Sequence, residues 1–192
     1  MPKYVASLFS GCGGLDLGFT GGFNYRGQNY GRLDTEIVFA NDFDPDAHTC
    51  YNANPLLIND GVECTLADIR NVDANDIPDF DILLAGFPCQ PFSNAGNRKG
   101  VEDANGRGTL FAECERIIQA KIANGHRPQA FVFENVRGIL SSRMPGGEIT
   151  VPQEITNRMH ALGYHVSMQL VCASDYGVPQ KRYRVLIVGI DE

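Results

Sequence analysis

The stretch Asp81–Gln90, DILLAGFPCQ, decides how the rest of the chain is read. After its leading acid, DILLAGF (81–87) is an unbroken apolar run, the pattern of a strand buried on both faces. Such strands belong to parallel sheets covered by helices, so this one segment already argues for an α/β fold. The cysteine that follows is the unusual feature. Cys89 stands between Pro88 and Pro91, on a stiff turn at the strand's carboxyl end. A packing cysteine would lie inside the strand; this one is presented.

Outward from that strand, apolar or β-branched runs alternate with helix-compatible stretches. YVASLF (4–9) reads as the first strand, with a glycine turn and a short helix through Leu15–Phe19 after it. EIVFAND (36–42) is the second strand. DPDAHTCYNAN then opens a helix, with Asp44 as N-cap and Pro45 at the first helical position. A short strand is expected near Glu63–Ala67 and an amphipathic helix over 108–124. QAFVFEN (129–135) is a further strand, 151–163 a helix, and 164–173 and 182–190 two closing strands. Strands separated by helices predict a mostly parallel sheet covered on both faces. The last two lack an intervening helix, so one of them is expected to run antiparallel. Gly21–Asp34, Ser93–Arg107 and Ser141–Glu148 are expected to be the least ordered segments.

The 192 residues suit one domain, 1–192. With 43% apolar and 20% charged residues and no low-complexity tract, that domain is expected to hold one packed core. No apolar run is long enough to span a bilayer, and glycines interrupt the amino terminus too early for a signal peptide. The six cysteines (12, 50, 64, 89, 114, 172) include no Cys-x-x-Cys pair and no histidine at zinc spacing. The expectation is a reduced, cytoplasmic protein without a structural metal: bacterial cytoplasm, or nucleus in a eukaryote. The net charge of −7 argues against a strong nucleic-acid clamp. Its distribution is uneven, however. Residues 1–96 carry four basic and thirteen acidic side chains, and residues 97–192 twelve and ten, which leaves room for a local phosphate-facing surface.

In open sheets of this plan, ligands gather at the carboxyl ends of the strands. The unusual residues fall there: Phe9–Gly14, Asp42, Pro88–Gln90 and Glu134-Asn135. The turn Phe9-Ser10-Gly11-Cys12-Gly13-Gly14, leading into Leu15, lets the backbone approach a ligand closely. Asp42 can accept both hydroxyl protons of a ribose, Phe43 can lie against a purine, and Asp68, followed by Ile69, can meet an adenine amino group. An adenosine cofactor fits, whether a nicotinamide dinucleotide or S-adenosylmethionine. The glycines at 11, 13, 14 and 18 do not match G-x-G-x-x-G, which tilts the reading to a cofactor without pyrophosphate. On the reactive side, Cys89 is a strong potential nucleophile. Glu134 follows the apolar Phe131-Val132-Phe133, so its carboxyl is expected to be partly desolvated, and in protonated form to donate to a ring nitrogen.

Motif by motif, the chain resembles the catalytic region of DNA (cytosine-5) methyltransferases. FSGCGGLDLGF resembles the first cofactor motif, NDFDPDAHTCYNAN the second (with Asp42 and Phe43 where many members have Glu and Trp), and ADI the third. GFPCQPFSNAGNRKG resembles the nucleophile motif, with RGTLF after it; FENVRG carries the Glu-Asn-Val and QKRYRVLIVG the Gln-x-Arg-x-Arg. The resemblance implies a Rossmann-like class I methyltransferase fold, double-stranded DNA as substrate and S-adenosylmethionine as cofactor, with S-adenosylhomocysteine as product and no metal.

The resemblance also implies roles. Cys89 adds to C6 of a flipped cytosine, C5 then accepts the methyl group, and loss of the C5 proton expels the sulfur. Glu134 serves N3, Arg184 binds O2, and Arg182 and Gln180 support the pocket. Phe9 contacts adenine and Asp42 the ribose, while Leu110, Phe87 and Pro88 wall the cofactor. Ser93–Arg107 matches a loop that closes over the base. Members of the family continue past the last motif here with a target-recognition region. The chain is therefore expected to be one subunit of a split enzyme or a truncated one, weakly active alone. A transfer-RNA cytosine-5 methyltransferase, a non-catalytic cofactor-binding subunit and a nicotinamide oxidoreductase are the rival readings.

Overall fold

Strands and helices alternate along the chain much as the apolar pattern predicts. The computed structural model describes residues 1–57, 61–88, 110–144 and 148–191. In chain order the elements are β1 (Lys3–Leu8), α1 (Gly14–Thr20), β2 (Phe23–Tyr25), β3 (Gln28–Tyr30), β4 (Thr35–Asp42), α2 (Pro45–Asn52), β5 (Cys64–Leu66), β6 (Ile82–Ala85), α3 (Leu110–Ala123), β7 (Ala130–Val136), α4 (Val151–Ala161), β8 (Tyr164–Cys172) and β9 (Tyr183–Asp191). They form two compact units, one of Met1–Gly86 with Ala120–Gln129, the other of Phe87–Gln119 with Ala130–Glu192. The fold is α/β and Rossmann-like, mostly parallel, with antiparallel strands near the C-terminus.

In the first unit β1 pairs in parallel with both β4 and β6, and β5 pairs in parallel with β4. Residues 5–8 of β1 are all buried, as a parallel strand covered on both faces requires. Val5, Ala6, Ile37, Ala40, Leu83 and Leu84 are each fully buried. Burying a Val, Leu or Ile side chain contributes about 1.5–3 kcal/mol, so this strip anchors the unit. Helix α2 starts as its sequence predicts: Pro45 occupies the first turn, and the Asp44 side chain accepts from the Asp46 and Ala47 amides at 2.8 and 3.4 Å. At the far end of α3, buried Lys121 pairs with Asp79 at 3.2 Å and donates to the Ile77 carbonyl, holding the approach to β6.

One expectation fails in this unit. Gly21–Asp34 is exposed for most of its length, but it is not irregular: β2 and β3 form an antiparallel hairpin closed by the two-residue turn Arg26-Gly27. Both turn residues have positive φ, 50° and 79°, the conformation that matches the natural twist of a hairpin. Phe23 stacks on Tyr30 across the pair, with ring centroids 5.0 Å apart. Of the other two segments expected to be least ordered, Ser93–Arg107 lies outside the described residues. In Ser141–Glu148 the described part includes the end of a 3₁₀ turn at Ser141 and a bridge from Arg143 to Thr150.

In the second unit β9 lies between β7 and β8 and pairs antiparallel with each. Alternate residues of β7 are buried, and Phe131 and Phe133 stack at 4.3 Å with Tyr164 edge-on to Phe131 at 5.4 Å. Each aromatic pair contributes about 0.5–1.5 kcal/mol beyond burial. Helix α4 begins with a capping box between Thr150 and Gln153. Val151, Ile155 and Met159 turn its buried face inward.

Candidate functional site

The first unit gathers the proposed cofactor residues at the ends of β1, β4 and β5. Phe9, the residue after β1, has φ +55°, an uncommon conformation for a bulky side chain and a sign of local constraint. Gly13 is the N-cap of α1 with φ +79°, and its amide donates to Ser10 at 2.9 Å. An added Cβ at Gly13 would lie 2.1 Å from Leu57 Cδ1 and 3.0 Å from Tyr51 Cε2, so the turn needs glycine for space as well as for conformation. Gly14 is exposed, while Ser10, Gly11 and Leu15 are partly so.

Asp42 is 8% exposed. Its Oδ2 accepts from the Gly11 amide at 2.8 Å and its Oδ1 from the Asp44 amide at 2.9 Å. Two fixed donors orient the carboxylate and leave further lone pairs on each oxygen for hydroxyl donors. Phe43 beside it is 65% exposed, an open aromatic face. Asp68 departs from expectation. Its carboxylate is gripped by the Arg70 guanidinium, Nε at 2.9 and 3.1 Å and Nη2 at 2.5 Å, and it accepts from the Arg70 amide at 3.0 Å. That fork holds its pKa below the ordinary 3.8. An adenine amino group reaching Asp68 must share it with Arg70. The Ile69 side chain is buried, so only its backbone is available to a ligand.

Beneath these residues lies a buried polar layer that the motif reading did not single out. Asp16, fully buried, accepts from Ser7 Oγ at 2.6 Å and from the Tyr51 hydroxyl at 2.8 Å. Burial pushes its pKa up, and the two hydroxyl donors pull the other way. Asn41 donates through Nδ2 to the Thr65 and Ala67 carbonyls at 3.0 and 2.9 Å, pinning the end of β5 beside β4. The only clue to Asp16 in the sequence is a lone acid inside the short apolar run LDLGF.

The second unit holds the described residues expected on the reactive side. Cys89 lies outside the described residues. Pro88 is partly exposed and Phe87 buried, with Phe87 packed against Phe111 and Phe133 at 6.0 and 5.7 Å. Asn135, 2% exposed, donates through Nδ2 to the Phe87 carbonyl at 3.0 Å, while its Oδ1 accepts from the Val136 amide at 2.9 Å. It fixes the backbone that leads into the Pro88 turn, a role its place in Glu-Asn-Val did not reveal. Leu110, 8% exposed, starts α3.

Glu134 is partly buried, its side chain 32% exposed, and Oε1 accepts from Arg184 Nε at 2.5 Å. The register explains the contact: Glu134 faces Leu186, so Arg184 is its diagonal neighbour across the β7–β9 pair. Gln180 and Arg182 are exposed and held by their backbones, Arg182 N donating to Gln180 O at 3.0 Å and Ala173 N to Arg182 O at 2.9 Å. Among the described residues no cluster of three or more His, Cys, Asp or Glu could hold a metal ion, and no helix is long and apolar enough to cross a membrane.

Residues 4–192 match the family model described as C-5 cytosine-specific DNA methylase. The Type II methyltransferase M.NlaX of Neisseria lactamica is 41% identical over 185 residues, covering 96% of this chain and 51% of that protein. M.HaeII of Haemophilus aegyptius is 41% identical over 190 residues, covering 98% and 51%. The chain thus spans about half the length of these curated relatives. Among solved structures, the Dnmt2 methyltransferase of S. pombe shares the fold with a TM-score of 0.69 at 23% identity, covering 98% of this chain and 51% of that one. On the family match across nearly its whole length, the chain belongs to the C-5 cytosine-specific DNA methylases.

Proposed function

We propose that residues 1–192 form the cofactor-binding and catalytic domain of an enzyme that methylates C5 of a flipped cytosine in double-stranded DNA. The observation that carries this reading is the pairing of Glu134 with Arg184, residues of two separate motifs that converge on one face of the β7–β9 pair. A carboxyl and a guanidinium so arranged suit the adjoining N3 and O2 of a pyrimidine. Cys89 Sγ adds to C6 while Glu134 holds the proton at N3 and Arg184 holds O2; once C5 carries the methyl group, loss of its proton to water expels the sulfur. Gln180 and Arg182 support the base or contact the backbone.

The first unit fits an adenosine cofactor. Asp42 presents an oriented carboxylate to a ribose, Phe9 and Phe43 offer rings, the Ser10–Leu15 turn offers close backbone approach, and Asp68 and Ile69 flank the adenine position. The resemblance assigns Phe87, Pro88 and Leu110 to the cofactor as well. S-adenosylmethionine supplies an electrophilic methyl group, and S-adenosylhomocysteine is left. The chain spans about half the length of these relatives, and target recognition is not among the roles assigned to its residues. The M.NlaX likeness favours a modification enzyme of restriction–modification type acting in a reduced cytoplasm.

Mechanism-based trapping tests the proposal. A duplex carrying 5-fluorocytosine at candidate target sites, given S-adenosylmethionine and the complementing half of a relative, is expected to form a denaturation-resistant adduct at Cys89. An adduct that persists in Cys89→Ala refutes the assignment. Labelled methyl entering transfer RNA in preference to DNA would replace DNA as the substrate.

A further inference from the structure

We propose that Asp16 is a positioning residue for the cofactor turn, acting through a one-way chain of hydroxyl hydrogen bonds. The inference rests on the cofactor reading above. The chain begins at the Asn41 amide, which donates to Ser10 Oγ at 3.2 Å. Ser10 Oγ lies 2.9 Å from Ser7 Oγ and 3.2 Å from the Ser7 carbonyl. Ser7 Oγ donates to Asp16 Oδ1 at 2.6 Å, and the Tyr51 hydroxyl donates to Asp16 Oδ2 at 2.8 Å.

Direction matters because each serine has one proton. Asp16 accepts at both oxygens, from Ser7 and from Tyr51. It therefore draws the Ser7 proton toward α1 and frees Ser7 Oγ to accept from Ser10. Ser10 in turn is free to accept from Asn41. The chain links β1, α1, α2 and β4, and Ser10 within it sits next to Gly11, whose amide holds Asp42 at 2.8 Å. Asp16 touches no position that a ligand could reach, since it is fully buried. Its effect on a ligand passes through Ser7 and Ser10.

Asp16→Asn separates this role from simple packing. The amide has nearly the same volume, yet its Nδ2 must donate to Ser7 Oγ or to Tyr51. A donor facing Ser7 turns the serine proton toward Ser10 and reverses that link, leaving the Ser10 proton only the more distant Ser7 carbonyl at 3.2 Å. Removing a buried charge also relieves its desolvation, so global stability is not expected to fall in step.

Native-state amide exchange by NMR on the 192-residue chain reads the result. In Asp16→Asn, the Ser10 and Gly11 amides are expected to exchange about tenfold faster, while Val5 and Ala6 and the melting temperature stay unchanged. Ser10→Ala is expected to give the same local loss, and the double variant no further loss, because both cut one chain. Unchanged Gly11 exchange in either single variant, core amides that speed up equally, or additive effects would overturn the proposal. Calorimetry with S-adenosylhomocysteine forms a separate arm, in which Asp16→Asn is expected to bind about tenfold more weakly. Wild-type protein that binds none would count against the cofactor reading, while the exchange data still decide the role of Asp16.

Discussion

Replacing Gly13 with alanine perturbs the glycine turn before α1 in two separable ways. A left-handed backbone conformation costs an alanine about 1–2 kcal/mol. The new methyl would also meet Leu57 Cδ1 at 2.1 Å and the Tyr51 ring at 3.0 Å, and both side chains are fully or almost fully buried. Overpacking of that kind costs about 1–3 kcal/mol. Gly13→Ala is therefore expected to lose about 2–5 kcal/mol in all. Gly11 provides the internal control. Its φ is +57°, but nothing lies within 4 Å of its would-be Cβ. Gly11→Ala should lose only the conformational part, about 1–2 kcal/mol. Urea titrations followed by circular dichroism give both values, and the difference isolates the steric clash. Equal losses for the two variants would refute the reasoning, as would a Gly13→Ala protein as stable as wild type.

Further outcomes follow from the same geometry. Asn135→Ala strips a partner from the Phe87 carbonyl and from the Val136 amide, so urea titration should show a loss of about 2–4 kcal/mol, more than Gln180→Ala at an exposed position. The depressed Asp68 pKa means that its ion pair stabilises the fold above the ordinary 3.8 and is lost as pH falls through the lower folded value. A carbon-detected NMR titration should place the Asp68 midpoint below 3.8 and return it there in Arg70→Ala, at a stability cost under about 1 kcal/mol because the pair is exposed. Among thiols, burial and then the charges of Asp42 and Asp16 push Cys64 up to about 11, and burial pushes Cys114 up as well. Iodoacetamide at pH 8 should therefore label the exposed Cys12 and Cys50 in native protein and spare Cys64 and Cys114, as read by peptide mass spectrometry.

The elements most legible in the sequence were those whose burial writes a simple pattern. The strand expected at 36–42 is Thr35–Asp42, the helix expected at 151–163 is Val151–Ala161, and the closing strands at 164–173 and 182–190 are Tyr164–Cys172 and Tyr183–Asp191. The hairpin escaped because its strands have three residues each and its turn is Arg-Gly rather than the stronger Asn-Gly signal. The places of Asp42 at the end of β4 and of the glycine turn after β1 were readable from the order of strands and helices. The Glu134–Arg184 pair was not, because motifs carry no strand register and the contact depends on a diagonal across β7 and β9. Asp16 and Asn135 escaped for a related reason. Their value lies in which backbone or hydroxyl group comes within 3.0 Å, and that follows from packing.

The Arg26-Gly27 turn offers a practical handle. It lies after α1 and before β4, where the parallel strands begin, whereas the glycine turn lies where they end. Six residues of β1, about 20 Å of extended chain, separate the two ends. A dye, epitope or photocrosslinker grafted between Tyr25 and Gln28 would report on tumbling and capture while leaving the glycine turn unaltered.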